Sequence, residues 1–146
     1  MDAITGDTSA AAIRDEGPDF LFTHLDQVDA VGHAHGSASP QFLDSLRSVD
    51  REVGKIVSAV DARAAAHPGE TWQIIVTTDH GHTPTGGHGG QTPDETANFV
   101  IARGSAFTAG AATADSLIDL TPTALDLLGV PADSALDGKS FARTRR

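Results

Sequence analysis

The chain contains no cysteine, which removes disulfides, thiolate metal sites and a cysteine nucleophile and leaves the redox compartment open. Aromatic residues are few, and lysine occurs only as Lys55 and Lys139. Basic residues are outnumbered: 10 Lys and Arg stand against 20 Asp and Glu, a formal charge of −10. That balance argues against a nucleic-acid duplex or an anionic membrane surface as the main partner. It leaves a phosphate substrate open, because bound cations invert the sign locally. No apolar run is long enough to span a bilayer. The N-terminus, Met1-Asp-Ala-Ile-Thr-Gly-Asp7, lacks the basic and apolar regions of a signal peptide. A cytoplasmic location is the expectation these absences favour, and they leave the oligomeric state open. At 146 residues the chain is long enough to bury a real core in one domain.

The chain reads as alternating helices and strands. Residues 8–16 form a short helix that Gly17-Pro18 ends. Phe20 to Leu25 is a short apolar run that predicts a buried strand, with His24 buried inside it. Asp26 to Ala38 is expected as a polar loop. Ser39-Pro40 then opens a helix, Ser as N-cap and Pro at the first helical position. Phe42, Leu43, Leu46, Val49, Val53, Ile56, Val57 and Val60 recur at helical spacing, one apolar face running to about Ala66. Trp72 to Thr77 predicts a second strand and Asn98 to Arg103 a third, with a Gly- and Thr-rich loop over 81–95 between them. Residues 110–115 are an Ala/Thr-rich linker. Thr121-Pro122 caps a last helix over 123–128, and a basic tail over 143–146 is expected to fray.

Strand, long helix, strand is a βαβ unit, whose strands are expected to be parallel and joined by a right-handed crossover. Ligands in such sheets gather beyond the carboxyl ends of the strands. Three polar clusters lie there or in the following loop: Asp29-Ala-Val-Gly-His33, Asp79-His80-Gly81 and Gly86-Gly87-His88-Gly89-Gly90. Asp29 and His33 are four apart, so one helical turn puts carboxylate and imidazole on one face. Four glycines around His88 give a backbone suited to close approach, unless the segment is a flexible linker. Asp79, His80 and the others together offer two carboxylates and three imidazoles, the donors that zinc or manganese takes in a two-metal hydrolase site. His35 and His82, each two residues past a proposed ligand, are candidates for contact with a ligand or substrate. His67 ends a helix, where its charge suits the dipole.

Asp-x-x-Gly-His after a strand, Thr-Thr-Asp-His-Gly, and Gly-Gly-His-Gly together resemble the metal-binding half of the alkaline phosphatase superfamily. The pattern is most similar to the type I phosphodiesterase/nucleotide pyrophosphatase group. The likeness covers Pro18 to Phe141, including Asp119-Leu-Thr-Pro-Thr-Ala-Leu-Asp-Leu-Leu-Gly-Val130, which resembles the family's closing helix. It implies an α/β three-layer sandwich with a mainly parallel sheet, of which residues 1–146 form a single partial domain, a C-terminal fragment. It implies that Asp29, His33 and His88 bind one divalent ion and that Asp79 and His80 bind another, zinc before manganese. The family completes the second site with an upstream Asp and a Thr or Ser nucleophile. Thr5, Thr8 and Ser9 have no core strand before them, so no nucleophile is assigned here. Three-metal alkaline phosphatases carry a magnesium-binding Glu where this chain has His24, which argues against that subgroup.

The implied activity is metal-assisted hydrolysis of a small phosphate ester, of the phosphodiester or nucleotide pyrophosphate type, with this chain alone inactive. A sulfatase fits less well, because its single calcium is poorly matched to mixed His and Asp donors. A cofactor-independent phosphoglycerate mutase would carry a large inserted domain, and none is visible. The rival from another class is a non-catalytic domain that binds a metal for folding or regulation.

Overall fold

The computed structural model describes residues 1–111 and 116–143, so the linker at 112–115 and the tail at 144–146 lie outside the described residues. The chain divides into two compact units. One holds Met1–Glu70 and His80–Ala97, the other Thr71–Asp79 and Asn98–Arg146.

The first unit is helical. Helix α1 spans Asp2–Asp15, α2 Gln27–His35, α3 Pro40–Ala66, and α4 is a single turn, Pro93–Thr96. The first helix therefore starts six residues before the expected position. The expected loop after Asp26 is instead α2, a change that bears directly on the site. Its first turn is capped from another element: the buried Asp2 carboxylate accepts from the Asp26 and Gln27 backbone N–H groups at 3.2 and 2.9 Å. Those amides have no partner within the helix, so a remote carboxylate there satisfies them and suits the dipole. Ser39 caps α3 as the sequence predicts, its hydroxyl accepting from Phe42 N at 3.1 Å.

Helix α3 packs on α1, and its buried positions overlap the expected face only at Val60. The buried positions on α3 are Ser45, Glu52, Ala59 and Val60, those on α1 include Gly6, Ser9, Ala10 and Ile13, and Gly6 lies against the Glu52 side chain. Small side chains on α1 admit the polar stripe of α3. Lys55 then bridges Glu52 and Asp7 at 2.7 and 2.8 Å. Arg63 pairs with both Glu70 oxygens and donates to the Ile13 and Arg14 carbonyls, so one guanidinium closes the C-terminal end of α1. The aliphatic stripe, expected to be covered through Leu46, Val53 and Val60, is only partly so: Val60 is buried, Val53 half-buried and Leu46 43% exposed.

The second unit holds the sheet. Strand β1 (Ile74–Thr77) pairs with β2 (Val100–Arg103), antiparallel, in a register that sets Ile74 opposite Arg103 and Thr77 opposite Val100. This is not the pair expected to be parallel, which is Phe20 to Leu25 with Trp72 to Thr77. Among the described residues the sheet has two strands, and Phe20 to Leu25 belongs to neither a helix nor a strand. Phe20 and Phe22 are 60% and 78% exposed, and His24 is exposed rather than buried. A strand exists only where a neighbour accepts its ladder, and this segment has the composition of one without the neighbour. A 3-10 turn, Leu117–Asp119, leads into α5, Leu120–Leu127. Asp119 accepts from Lys139 N at 2.7 Å and the buried Thr123 hydroxyl accepts from Phe141 N at 3.1 Å, tying the tail to this helix.

Candidate metal centre

Helix α2 and the loop from His80 to Gly90 form the site. Asp29 and His33 stand one turn apart on α2, their Oδ1 and Nε2 atoms 3.5 Å apart. At the C-terminal end, Gly36 turns the chain out with φ of 77° and the loop docks there. Ser37 N and Ala38 N donate to the Thr83 and Pro84 carbonyls at 3.2 and 3.3 Å, and Ser37 Oγ donates to Thr83 O at 2.9 Å. The loop is itself a bonded turn: Thr83 Oγ1 donates to Gly86 O at 2.6 Å and Thr83 N to Gly87 O at 3.1 Å. Residues 83–87 thus form a hydrogen-bonded turn at the start of the Gly-rich segment.

That docking brings histidines over α2. His88 Nε2 lies 3.4 Å from Asp29 Oδ1 and 3.1 Å from His33 Nε2. His80 Nε2 lies 3.9 Å from the same carboxylate oxygen, and its ring stacks on His88 with centroids 3.7 Å apart. His80 Nδ1 is 3.0 Å from the Gly81 carbonyl, which accepts only if that nitrogen carries the proton and so leaves Nε2 its lone pair. Of the five ligands read from sequence, Asp29, His33, His80 and His88 therefore meet. Asp79 belongs to the other unit, just past β1, and is exposed. His35 is exposed at the end of α2.

His82, named from the sequence only as a candidate contact, has the tightest bond to Asp29. It is 7% exposed, and its Nε2 lies 2.8 Å from Asp29 Oδ1, the shortest of the four imidazole distances to that atom. Its position two residues past His80 marks it in the sequence, and Gly32 in the Asp-x-x-Gly-His motif is a second signal. A β-carbon at Gly32 would stand 2.8 Å from the His82 ring, so the glycine makes room for that imidazole. Burial raises the Asp29 pKa. The His82 hydrogen bond and the charges on His33, His82 and His88 outweigh it, and the carboxyl is held below its ordinary range.

Glu95 braces the far side of the loop. Its carboxylate accepts from Thr92 Oγ1 at 2.6 Å and from Gly90 N at 2.9 Å. Those bonds, Thr92 first and Gly90 next, lower its pKa. A depressed carboxyl stabilises above the unfolded-state pKa and loses that contribution as pH falls through the folded value. Amide exchange at Gly90 is therefore expected to speed up below the ordinary glutamate range and to be insensitive to pH there in Glu95→Gln, once the intrinsic pH dependence of exchange is removed. A wild-type Gly90 still protected at pH 2 would remove Glu95 from that role.

The family model described as type I phosphodiesterase / nucleotide pyrophosphatase matches residues 2–124. The chain belongs to that family. Its relatives extend across the alkaline phosphatase superfamily. A 2,3-bisphosphoglycerate-independent phosphoglycerate mutase of Halobacterium salinarum is 30% identical over 92% of this chain and 26% of its own length. GPI ethanolamine phosphate transferase 1 of Mus musculus is 36% identical over 58% of the chain and 9% of its own length. Ectonucleotide pyrophosphatase/phosphodiesterase family member 7 of Homo sapiens is 32% identical over 53% of the chain and 16% of its own length. The chain thus spans about a quarter or less of the length of these relatives. Among the described residues no helix is long and apolar enough to cross a membrane.

Proposed function

We propose that this chain is the metal-binding part of a catalytic domain that hydrolyses phosphate esters of the phosphodiester or nucleotide pyrophosphate type. The observation that carries the reading is the triangle of Asp29 Oδ1, His33 Nε2 and His88 Nε2, with sides of 3.5, 3.4 and 3.1 Å. Ligands held at 2.0–2.1 Å by a tetrahedral zinc ion stand roughly 3.3 Å from one another, so these three donors fit one ion. Carboxylate and imidazole without thiolate suit zinc, with manganese second. His80 and Asp79 are assigned to a second ion, with an upstream Asp and a Thr or Ser nucleophile that this chain does not supply. Divalent ions held by these residues would supply charge to activate a hydroxyl and to neutralise a phosphoryl group. This chain's residues hold them: Asp29 offsets cationic charge, and the Gly81 carbonyl fixes the His80 tautomer.

The proposal takes residues 1–146 as one partial domain of the three-layer, mainly parallel architecture of the superfamily. The exposed Phe20, Leu21 and Phe22 and the exposed part of the α3 stripe support it, since both have the composition of surfaces that a larger sheet covers.

Calorimetric titration with zinc is expected to show one strong step, reduced at least about tenfold in His33→Ala and in His88→Ala and kept in His35→Ala. Zinc affinity untouched by both substitutions would overturn the reading. The mutase likeness over 92% of the chain keeps phosphoryl transfer as a second reading. Product analysis of a chain that includes the nucleophile separates them, because hydrolysis releases the phosphoryl group to water.

A further inference from the structure

We infer that His82 is a positioning residue: its Nε2–H holds the Asp29 carboxylate in the orientation that metal binding needs, and it is not itself a ligand. The inference rests on Asp29 being a zinc ligand, as proposed above.

Four imidazoles surround Asp29 Oδ1, and two properties set His82 apart. The first is distance. Its Nε2 lies 2.8 Å from the oxygen, a hydrogen-bond length. Two ligands of one tetrahedral zinc stand about 3.3 Å apart, the spacing His33 and His88 keep from Asp29. The second is the far side of the ring. His82 Nδ1 is buried and has no hydrogen-bond partner among the described residues. If Nε2 bound a metal, the ring proton would have to sit on Nδ1, where nothing accepts it. With the proton on Nε2, Asp29 accepts it and Nδ1 keeps only a bare lone pair. A carboxylate oxygen has two acceptor directions, so one taken by His82 leaves the other for an ion beside His33 and His88.

The ring is held firmly enough to act as a reference point. Gly32 lies against it so closely that a β-carbon would come within 2.8 Å of the ring atoms. Phe42 meets it edge to face with centroids 6.2 Å apart, and Ser37 Oγ donates to the His82 carbonyl at 3.1 Å. Backbone and side chain are thus both fixed to α2 and the start of α3, and Asp29 inherits that fixity through one hydrogen bond. Groups that orient a ligand in this way typically change metal affinity 10–100-fold when removed.

The test is ring-nitrogen NMR of the whole chain with 15N-labelled histidine, before and after zinc. The expected result is an Nε2–H tautomer for His82 in both states, while His33 and His88 change on zinc addition. A switch of His82 to the Nδ1–H tautomer with zinc would make it a ligand and overturn the inference. Two variants give an independent reading. His82→Leu fills the space without a donor and is expected to weaken zinc binding by about 10–100-fold. His82→Gln restores an N–H near the same place and is expected to recover most of that loss. A Gln variant as weak as Leu, or a Leu variant as tight as wild type, would equally overturn it. Thermal melts of the metal-free variants check that each is folded, and the wild-type tautomer measurement stands whether or not they are. Unchanged zinc affinity in His33→Ala and His88→Ala strikes the metal reading instead, and takes with it the purpose of the His82 bond.

Discussion

Gly36→Ala is expected to destabilise the chain by about 3 kcal/mol or more and to abolish strong zinc binding. Two independent terms act at this position. Gly36 sits at φ 77°, ψ 155°, a backbone region that is almost entirely glycine's and costs an L-residue about 1–3 kcal/mol. The added β-carbon would also run into the Pro84 carbonyl oxygen, with Thr85 and Gly86 backbone close behind. Backbone cannot rotate away as a side chain can, so α2 and the docked loop must part. The bonds from Ser37 N to Thr83 O and from Ala38 N to Pro84 O are then lost, and His82 and His88 leave Asp29 together. Gly69→Ala is the control: its β-carbon meets nothing within 4 Å, and no positive φ is required. Urea denaturation is expected to move by less than about 0.5 kcal/mol for that variant. A Gly36→Ala chain that melts like wild type would mean the loop is not docked on α2 in this way.

What the sequence disclosed about the site was chemistry rather than placement. The Asp29–His33 spacing was readable because helical periodicity fixes an i,i+4 pair, even though the surrounding segment reads as loop. The helix itself was hidden because its N-terminal cap is not local: Asp2 supplies it from 24 residues away. His88 was legible from its glycines. His82 was legible only as a residue near a ligand, because its bond to Asp29 and its fit against Gly32 arise only in the folded loop. The long helix α3 was readable in extent, from Ser39 to the residue before His67, since capping and periodicity are local signals. Its packing face was not. Apolar spacing points to the Leu46–Val53–Val60 stripe, whereas of these only Val60 is buried, beside Ser45, Glu52 and Ala59, and Gly6 of α1 makes room for Glu52. The Phe20–Leu25 strand shows the same limit. Composition gives a segment the capacity to be a strand, and only a partner's hydrogen bonds make it one.

Asp29 is where the two halves of this reading separate experimentally. Asp29→Asn keeps a carbonyl oxygen for the His82 N–H to reach, so apo stability is expected to change by no more than about 1 kcal/mol. The amide is neutral and a poor zinc ligand, so affinity is expected to fall at least a hundredfold, more than about the 10–100-fold typical of groups that only orient a ligand. Asp29→Ala differs in kind. It removes the acceptor and leaves the buried His82 ring with no partner on Nε2, in addition to the one it already lacks on Nδ1. An unsatisfied buried donor costs about 1–3 kcal/mol, so the Ala variant is expected to lose stability as well as zinc. The pH dependence carries the same sign. The folded-state pKa of Asp29 is depressed, so its contribution is present above the ordinary carboxylate range and lost as pH falls through the folded value. The stability gap between wild type and Asp29→Ala should therefore narrow only below the ordinary carboxylate range, read as urea midpoints that converge below about pH 4. Equal zinc affinity in wild type and Asp29→Asn would remove the carboxylate from the metal site, and an Ala variant as stable as the Asn variant would remove the His82 hydrogen bond from the fold.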